Sequence, residues 1–178
     1  ILICFHFNSY RNFKHYYLGC VRVHWKHLFP RTFSYNRFVE IMPRCFVALT
    51  MFLRLACFGK CTGISFVDST CIPVIHNKRE FNMKVFKGIA VKGKSTMGWY
   101  VGFKLHLLCN EKGELVNFVL TRANVDDREE SVIDTLTDKV FGKLYADKGY
   151  ISQSLFGHLW DNGVHIVTGL RSNMKQRL

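Results

Sequence analysis

The stretch from Trp99 to Leu120 constrains the fold most. Trp99 to Cys109 alternates side-chain type along its length, Asn110-Glu-Lys-Gly113 supplies a turn, and Glu114 to Leu120 follows as a second β-rich run. Period-2 alternation on both sides of a short glycine-ended turn specifies an antiparallel hairpin, and a hairpin needs further strands or helices to cover one of its faces. Ile64 to Asp68 is a short β-rich run ahead of it. A helix from about Arg128 to Val140, a strand Lys143 to Asp147, a helix from about Ser152 to Asn162 and a strand Val164 to Thr168 come after. The order β-β-β-α-β-α-β predicts an α/β domain with a ribonuclease H-like mixed sheet.

Residues before about 60 are of another kind, with aromatic and basic residues mixed without strand-like alternation and Pro30 and Pro43 as punctuation. Helices are expected at about 9–28 and 34–42, the second capped by Ser34, and a third from about Arg44 to Phe58, whose apolar circumference implies burial. The chain thus divides into a small helical region, 1–59, and a sheet domain, 60–178. The turn Phe29 to Phe33 between the first two helices is compatible with a helix-turn-helix presenting Arg31, Asn36 and Arg37 to DNA. A plain helical hairpin reads the same way.

Charge restricts the partners. Against 25 Lys and Arg stand 13 Asp and Glu, a formal charge of +12, which favours a polyanion and points to double-stranded DNA. The basic residues concentrate between His76 and Lys104, where Lys78, Arg79, Lys84, Lys87, Lys92, Lys94 and Lys104 face one acid, Glu80. Phe81, Phe86 and Trp99 are interleaved with Gly88, Gly93 and Gly98, as suits a loop that follows a phosphate backbone without reading bases. The apolar run Cys45 to Leu53 is about half of what a bilayer crossing needs, so no membrane partner is expected. Seven cysteines, mostly in apolar stretches, suit buried thiols in a reducing cytoplasm. Cys57 and Cys61 lack the second pair that a zinc site requires.

Two acids stand where α/β sheets place their ligands. Asp68 ends the run Ile64-Ser-Phe-Val, and Asp147 ends Lys143-Leu-Tyr-Ala ahead of Gly149. Carboxylates at the ends of neighbouring strands can share divalent cations for phosphoryl transfer, although each can also simply cap a turn. Asp127 and Glu130 have capping-box spacing, with Asp126 at the edge of the site as the other reading. Lys104 and His106 share one face of their strand, opposite Val101, Phe103, Leu105 and Leu107, where His106 either meets phosphate or is a hydrogen-bonded buried histidine.

Residues Lys60 to Leu178 resemble DDE transposases of bacterial insertion sequences. The blocks are Gly63-Ile-Ser-Phe-Val-Asp-Ser-Thr70, His76-Asn-Lys-Arg79, Val85-Phe-Lys-Gly88, Gly98-Trp-Tyr-Val-Gly-Phe-Lys-Leu-His106, Asn124-Val-Asp-Asp-Arg128 and Tyr145-Ala-Asp-Lys-Gly-Tyr-Ile151. Tyr10-Arg-Asn-Phe13 and Phe33-Ser-Tyr-Asn-Arg-Phe-Val-Glu40 look similar as well. The resemblance implies a ribonuclease H-like catalytic domain in which Asp68 and Asp147 ligate two Mg²⁺ (or Mn²⁺) ions, with Lys148 at the site's edge beside them. It implies strand cleavage at element ends and strand transfer into target DNA, in a bacterial cytosol or nucleoid, compatible with a homo-oligomer assembled on the DNA. It also implies a third ligand, a glutamate on a helix beyond the last strand. No glutamate follows Glu130, and Asp161 falls in the helix before that strand, so the chain reads as truncated ahead of its third carboxylate. A DNA-binding remnant without catalysis, or a metal-dependent nuclease with its own third acid, is the competing expectation.

Duplex DNA is expected to bind largely independently of sequence. With six or more phosphates neutralised, affinity should fall by about 10³ between 50 and 200 mM salt, as fluorescence anisotropy would measure.

Overall fold

The computed structural model describes residues 1–150 and 152–169. The chain forms two compact units, Ile1–Leu55 and Ala56–Leu178.

The first unit is helical: α1 (Leu2–His6), α2 (Phe13–His15), α3 (Tyr35–Ile41) and α4 (Phe46–Phe52). The Asn12 side chain accepts the His15 amide and the Ser34 side chain accepts the Arg37 amide, so two of the helix starts are closed by residues suited to capping. α2 widens into a π-helix, Tyr16–His24, ended by the Trp25 amide bonding to Cys20 O at 2.9 Å. Its core is aromatic. Tyr16 and Tyr17 are fully buried, and Phe38 packs on Tyr17 at 4.6 Å and on Phe13 at 5.7 Å between ring centroids. Burial pushes the Tyr16 phenol up to about 12.

The expected helix 9–28 is therefore shorter, and α1 was not foreseen. The expected continuous helix from Arg44 to Phe58 instead runs as a 3-10 turn, Met42–Cys45, then α4, then a π-turn, Leu53–Cys57. Nor does its apolar circumference bury it, since no residue of α4 is buried and Phe46, Val47, Met51 and Phe52 remain exposed. A wholly apolar circumference marks a helix able to be enclosed, and this short unit is too small to wrap it.

The second unit is a six-stranded mixed sheet with the ribonuclease H-like layout. β1 (Ile64–Ile75), β3 (Gly98–Asn110) and β4 (Leu115–Arg122) form an antiparallel meander, and β5 (Gly142–Ala146) and β6 (Val164–Thr168) add in parallel on the free edge of β1. The sequence expectation β-β-β-α-β-α-β holds, with one addition. A short β2 (Val91–Ser95) pairs with the start of β3, on the edge that β4 occupies further along. β2 escaped notice because Val-Lys-Gly-Lys-Ser carries little strand propensity. Its glycine is obligatory where it packs, for a Cβ on Gly93 would lie 2.1 Å from Ala123 O.

Two helices, α5 (Glu130–Thr137) and α6 (Gln153–Asp161), cover one face. Val132, Ile133 and Leu136 of α5 and Leu155 and Leu159 of α6 meet Val67, Leu108, Leu144, Val164 and Ile166 of the sheet. The i, i+3, i+4 apolar spacing of each helix supplies its stripe. On β3 the covered face bears Tyr100, Lys104, His106, Leu108 and Asn110, whereas Leu105 and Leu107 are only half-buried on the open face. Lys104 and His106 do share a face, and it is the inner one. No helix among the described residues is long and apolar enough to cross a membrane.

Leu108→Ala is expected to lower the stability of this unit by about 3 kcal/mol in urea unfolding, through lost burial and a residual cavity. Leu107→Ala, one residue along but on the open face, should cost about 1 kcal/mol or less.

Candidate active site

β1 and β5 run parallel in the register Ile64↔Lys143 through Val67↔Ala146. The next residue on each strand is an aspartate. Adjacent strands stand about 4.8 Å apart, so Asp68 and Asp147 begin side by side on one face of the sheet. β5 stops there while β1 continues to Ile75 against β3, and the step between the long strand and the short one opens a crevice. Both side chains are exposed. Each is oriented by the following backbone amide, Ser69 N–H to Asp68 Oδ1 and Lys148 N–H to Asp147 Oδ1, both at 2.7 Å. Asp68 is not at the end of its strand as the sequence suggested; it is at the end of the pairing between the two strands.

The crevice is a cavity of ≈ 240 Å³ whose lining includes Asp68, Asp147, Lys104, Asp127 and Tyr150. Lys94, Ser95 and Thr96, from the end of the β2–β3 hairpin, complete it. Among the described residues no group of three His, Cys, Asp or Glu side chains stands close enough to hold a metal ion by itself. The two exposed aspartates fit the nucleus of an Mg²⁺ site, in which a few carboxylate oxygens leave positions for water and phosphate.

Beneath this pair lies a buried polar cluster. Lys104 Nζ donates to Val125 O at 2.7 Å and stands 3.1 Å from Asp127 Oδ1. The second contact is an ion pair out of line for a hydrogen bond, because Asp127 Oδ1 has no aligned donor. His106, fully buried, has Nε2 3.0 Å from Thr121 Oγ1, and that hydroxyl in turn donates to Lys104 O at 3.4 Å. Thr121 thus accepts from Nε2–H, leaving Nδ1 unpaired 3.8 Å from Asp127 Oδ1. Burial lowers the His106 pKa and keeps the ring neutral; Asp127 opposes that shift and Lys104 adds to it. Burial also raises the phenols of Tyr100 and Tyr150, with Cys71 beside the first and Ser69 beside the second and Asp127 contributing to both.

The capping box expected of Asp127 and Glu130 does not form. α5 begins at Glu130 with no side-chain cap, and Asp127 turns inward to Lys104 instead. Asp126 is clamped by Arg128, with Nε and Nη2 each at 2.8 Å, a fork that holds its carboxyl well below the usual range. Lys148 follows Asp147 in a 3-10 turn, Lys148–Tyr150. Asp161 ends α6, at the opposite end of the sheet from Asp147, since the Gly163 carbonyl beside it bonds to the start of β5 at Gly142. The place expected for a third carboxylate, beyond the last strand, lies outside the described residues.

Of the seven basic residues in the stripe, Lys78, Arg79, Lys84, Lys87, Lys92 and Lys94 are exposed. Lys92 pairs with Glu80 at 3.2 Å, and Lys92 and Lys94 both stand over the exposed Trp99 ring at about 6 Å. Lys104 alone is buried, in the wall of the crevice rather than on the exposed segment. Its partner Asp127 is distant in sequence, so only the shared face with His106 hinted at this. In the helical unit Arg31 and Arg37 are exposed, Arg37 paired with Glu40 at 2.9 Å.

A family model described as a transposase DDE domain matches residues 58–178. Among solved structures, the chain is similar to a piggyBac transposase in a cryo-EM structure of its synaptic complex with hairpin DNA, at 14% identity and a TM-score of 0.44, over 65% of this chain and 24% of that one. The chain thus spans about a quarter of the length of that transposase. No curated protein matches.

In metal-free buffer, stability should fall as pH drops below the ordinary histidine value of 6.5. There the unfolded chain takes up a proton that buried His106 refuses, and the loss continues down to the lowered folded value. His158, raised by Asp134, works in the opposite sense. Urea titrations from pH 7.5 to 5 should therefore show a flatter profile for His106→Gln than for the wild type.

Proposed function

Because the chain belongs to the family of transposase DDE domains, we propose that its sheet unit holds divalent ions on Asp68 and Asp147 and directs strand cleavage and strand transfer on DNA. The observation that carries this is the β1–β5 register, which sets the two acids on adjacent strands, exposed, in one crevice. Two Mg²⁺ or Mn²⁺ ions bound there would stabilise the attacking and leaving oxygens of an in-line displacement at phosphorus. The protein's own part is positional: the Ser69 and Lys148 amides each hold one oxygen of an exposed carboxylate.

Substrate binding falls to the exposed cations. Lys78, Arg79, Lys84, Lys87, Lys92 and Lys94 lie along one continuous segment that ends at the crevice, where Lys94 is part of the wall. Double-stranded DNA is the partner that such a row suits, and its contacts are to phosphates. Arg31 and Arg37 are the corresponding candidates of the helical unit, in the helix-turn-helix reading. Asp126, clamped by Arg128, serves to shape the β4–α5 loop at the edge of the site.

A second reading is DNA binding without cleavage by these residues, which the six exposed cations would carry without any metal. The two readings part on metal affinity. Asp68→Asn and Asp147→Asn are each expected to weaken Mn²⁺ binding, followed by electron paramagnetic resonance, by at least about tenfold while leaving salt-dependent DNA binding in place. Mn²⁺ affinity equal in wild type and both variants would overturn the metal-binding proposal and leave the DNA-binding one.

A further inference from the structure

We propose that Lys104 is a fixed phosphate-contacting cation of the crevice, acting on the same DNA phosphate that reaches Asp68 and Asp147. The inference rests on the carboxylate reading of that crevice.

Lys104 differs from the six exposed cations in its burial and in how its ammonium is held. It is 8% exposed, on the helix-covered face of β3, and lies where two depressions meet: the Asp68–Asp147 crevice and an adjoining one of ≈ 410 Å³ formed by the β4–α5 loop with Lys94. Its ammonium is held from two sides, by the Val125 carbonyl at 2.7 Å and the Asp127 carboxylate at 3.1 Å. An ammonium carries three N–H donors. Val125 takes one squarely, and Asp127 supplies charge without an aligned bond, so donor capacity remains on a side chain that lines the crevice.

Burying an ammonium is costly unless it is paired, and Asp127 offsets that cost here. The cluster then contains one positive and one negative charge with a neutral imidazole beside them. A phosphodiester oxygen entering the crevice meets a cation already desolvated and already placed. Such a cation attracts charge more strongly than a hydrated, mobile lysine on the surface, because little solvent or side-chain freedom remains to be lost. Asp127 and Val125 are positioning groups in this arrangement, and Lys104 makes the contact.

The test uses the whole chain and a 20-base-pair duplex of arbitrary sequence, with affinity read by anisotropy at constant ionic strength in Ca²⁺ and in EDTA. Ca²⁺ lets carboxylates recruit a phosphate. The wild type should bind more tightly in Ca²⁺ than in EDTA. Lys104→Gln should lose about tenfold of that affinity in Ca²⁺ and stay within about twofold of wild type in EDTA, whereas Lys87→Gln loses affinity in both. Lys104→Arg should retain the Ca²⁺-dependent gain. Should Lys104→Gln fail to fold, the buried ammonium of the wild type still reports: its ¹⁵Nζ signal, assigned by its loss in Lys104→Arg, must move when Ca²⁺ and DNA are added together. A Lys104→Gln that keeps the wild-type gain in Ca²⁺, or an ammonium signal that does not move, overturns the proposal. A wild type indifferent to Ca²⁺ overturns the carboxylate reading, and this inference with it.

Discussion

The short parallel pairing of β1 with β5 is the constraint on which the sheet unit depends. It joins Ile64–Val67 to Lys143–Ala146 across a long stretch of chain. That separation obliges the polypeptide to form the meander and α5 before it can return, and then to cross over through α6 to reach β6. Both helices pack on the same side, against Val67, Leu108 and Leu144. One pairing therefore fixes where the two aspartates meet and which side of the sheet is closed.

Closing that side has a chemical consequence. The residues of β3 that face the helices include Lys104 and His106, so the core of the unit runs from Leu108, wholly apolar, to a polar end occupied by Lys104, His106, Asp127, Tyr100 and Tyr150. Charge so close to a hydrophobic core is stable only because its members answer one another within a few ångströms. The β4–α5 loop is drawn in by that same charge: Asp127 abandons the start of α5 for Lys104, and α5 begins without a side-chain cap.

The meander, the two parallel strands and their helices could be read from periodicity and turn chemistry, and so could the meeting of Asp68 and Asp147, because each ends a run of apolar β-formers. Other features were hidden for physical reasons. Alternation along Trp99–Cys109 separates two faces without saying which is covered; the helices decide that, and they cover the face carrying Lys104. β2 exists through its pairing with β3 and the tight approach of Gly93 to Ala123, neither of which is local. Asp127 with Glu130 matched a capping box in spacing, yet an ion pair with Lys104 of β3 prevailed over the local bond. In the helical unit, Tyr16, Tyr17, Cys20 and Val21 are buried at a spacing that an ordinary α-helix presents equally, so the π-helical widening over Tyr16–His24 left no mark in the sequence pattern.

β2 and β4 share one edge of β3, β2 starting opposite Gly102 and β4 ending opposite Phe103. Neither can slide along that edge without displacing the other, so the hairpin is indexed like a ruler butted against a stop. Length can change at its outer end, at Thr96 and Met97, without disturbing anything further in. A single residue added between Val91 and Gly93 would instead turn Lys92 away from the Trp99 side and bring a side chain onto Ala123. Descendants of this sequence can thus vary the reach of the hairpin over the crevice in one direction only.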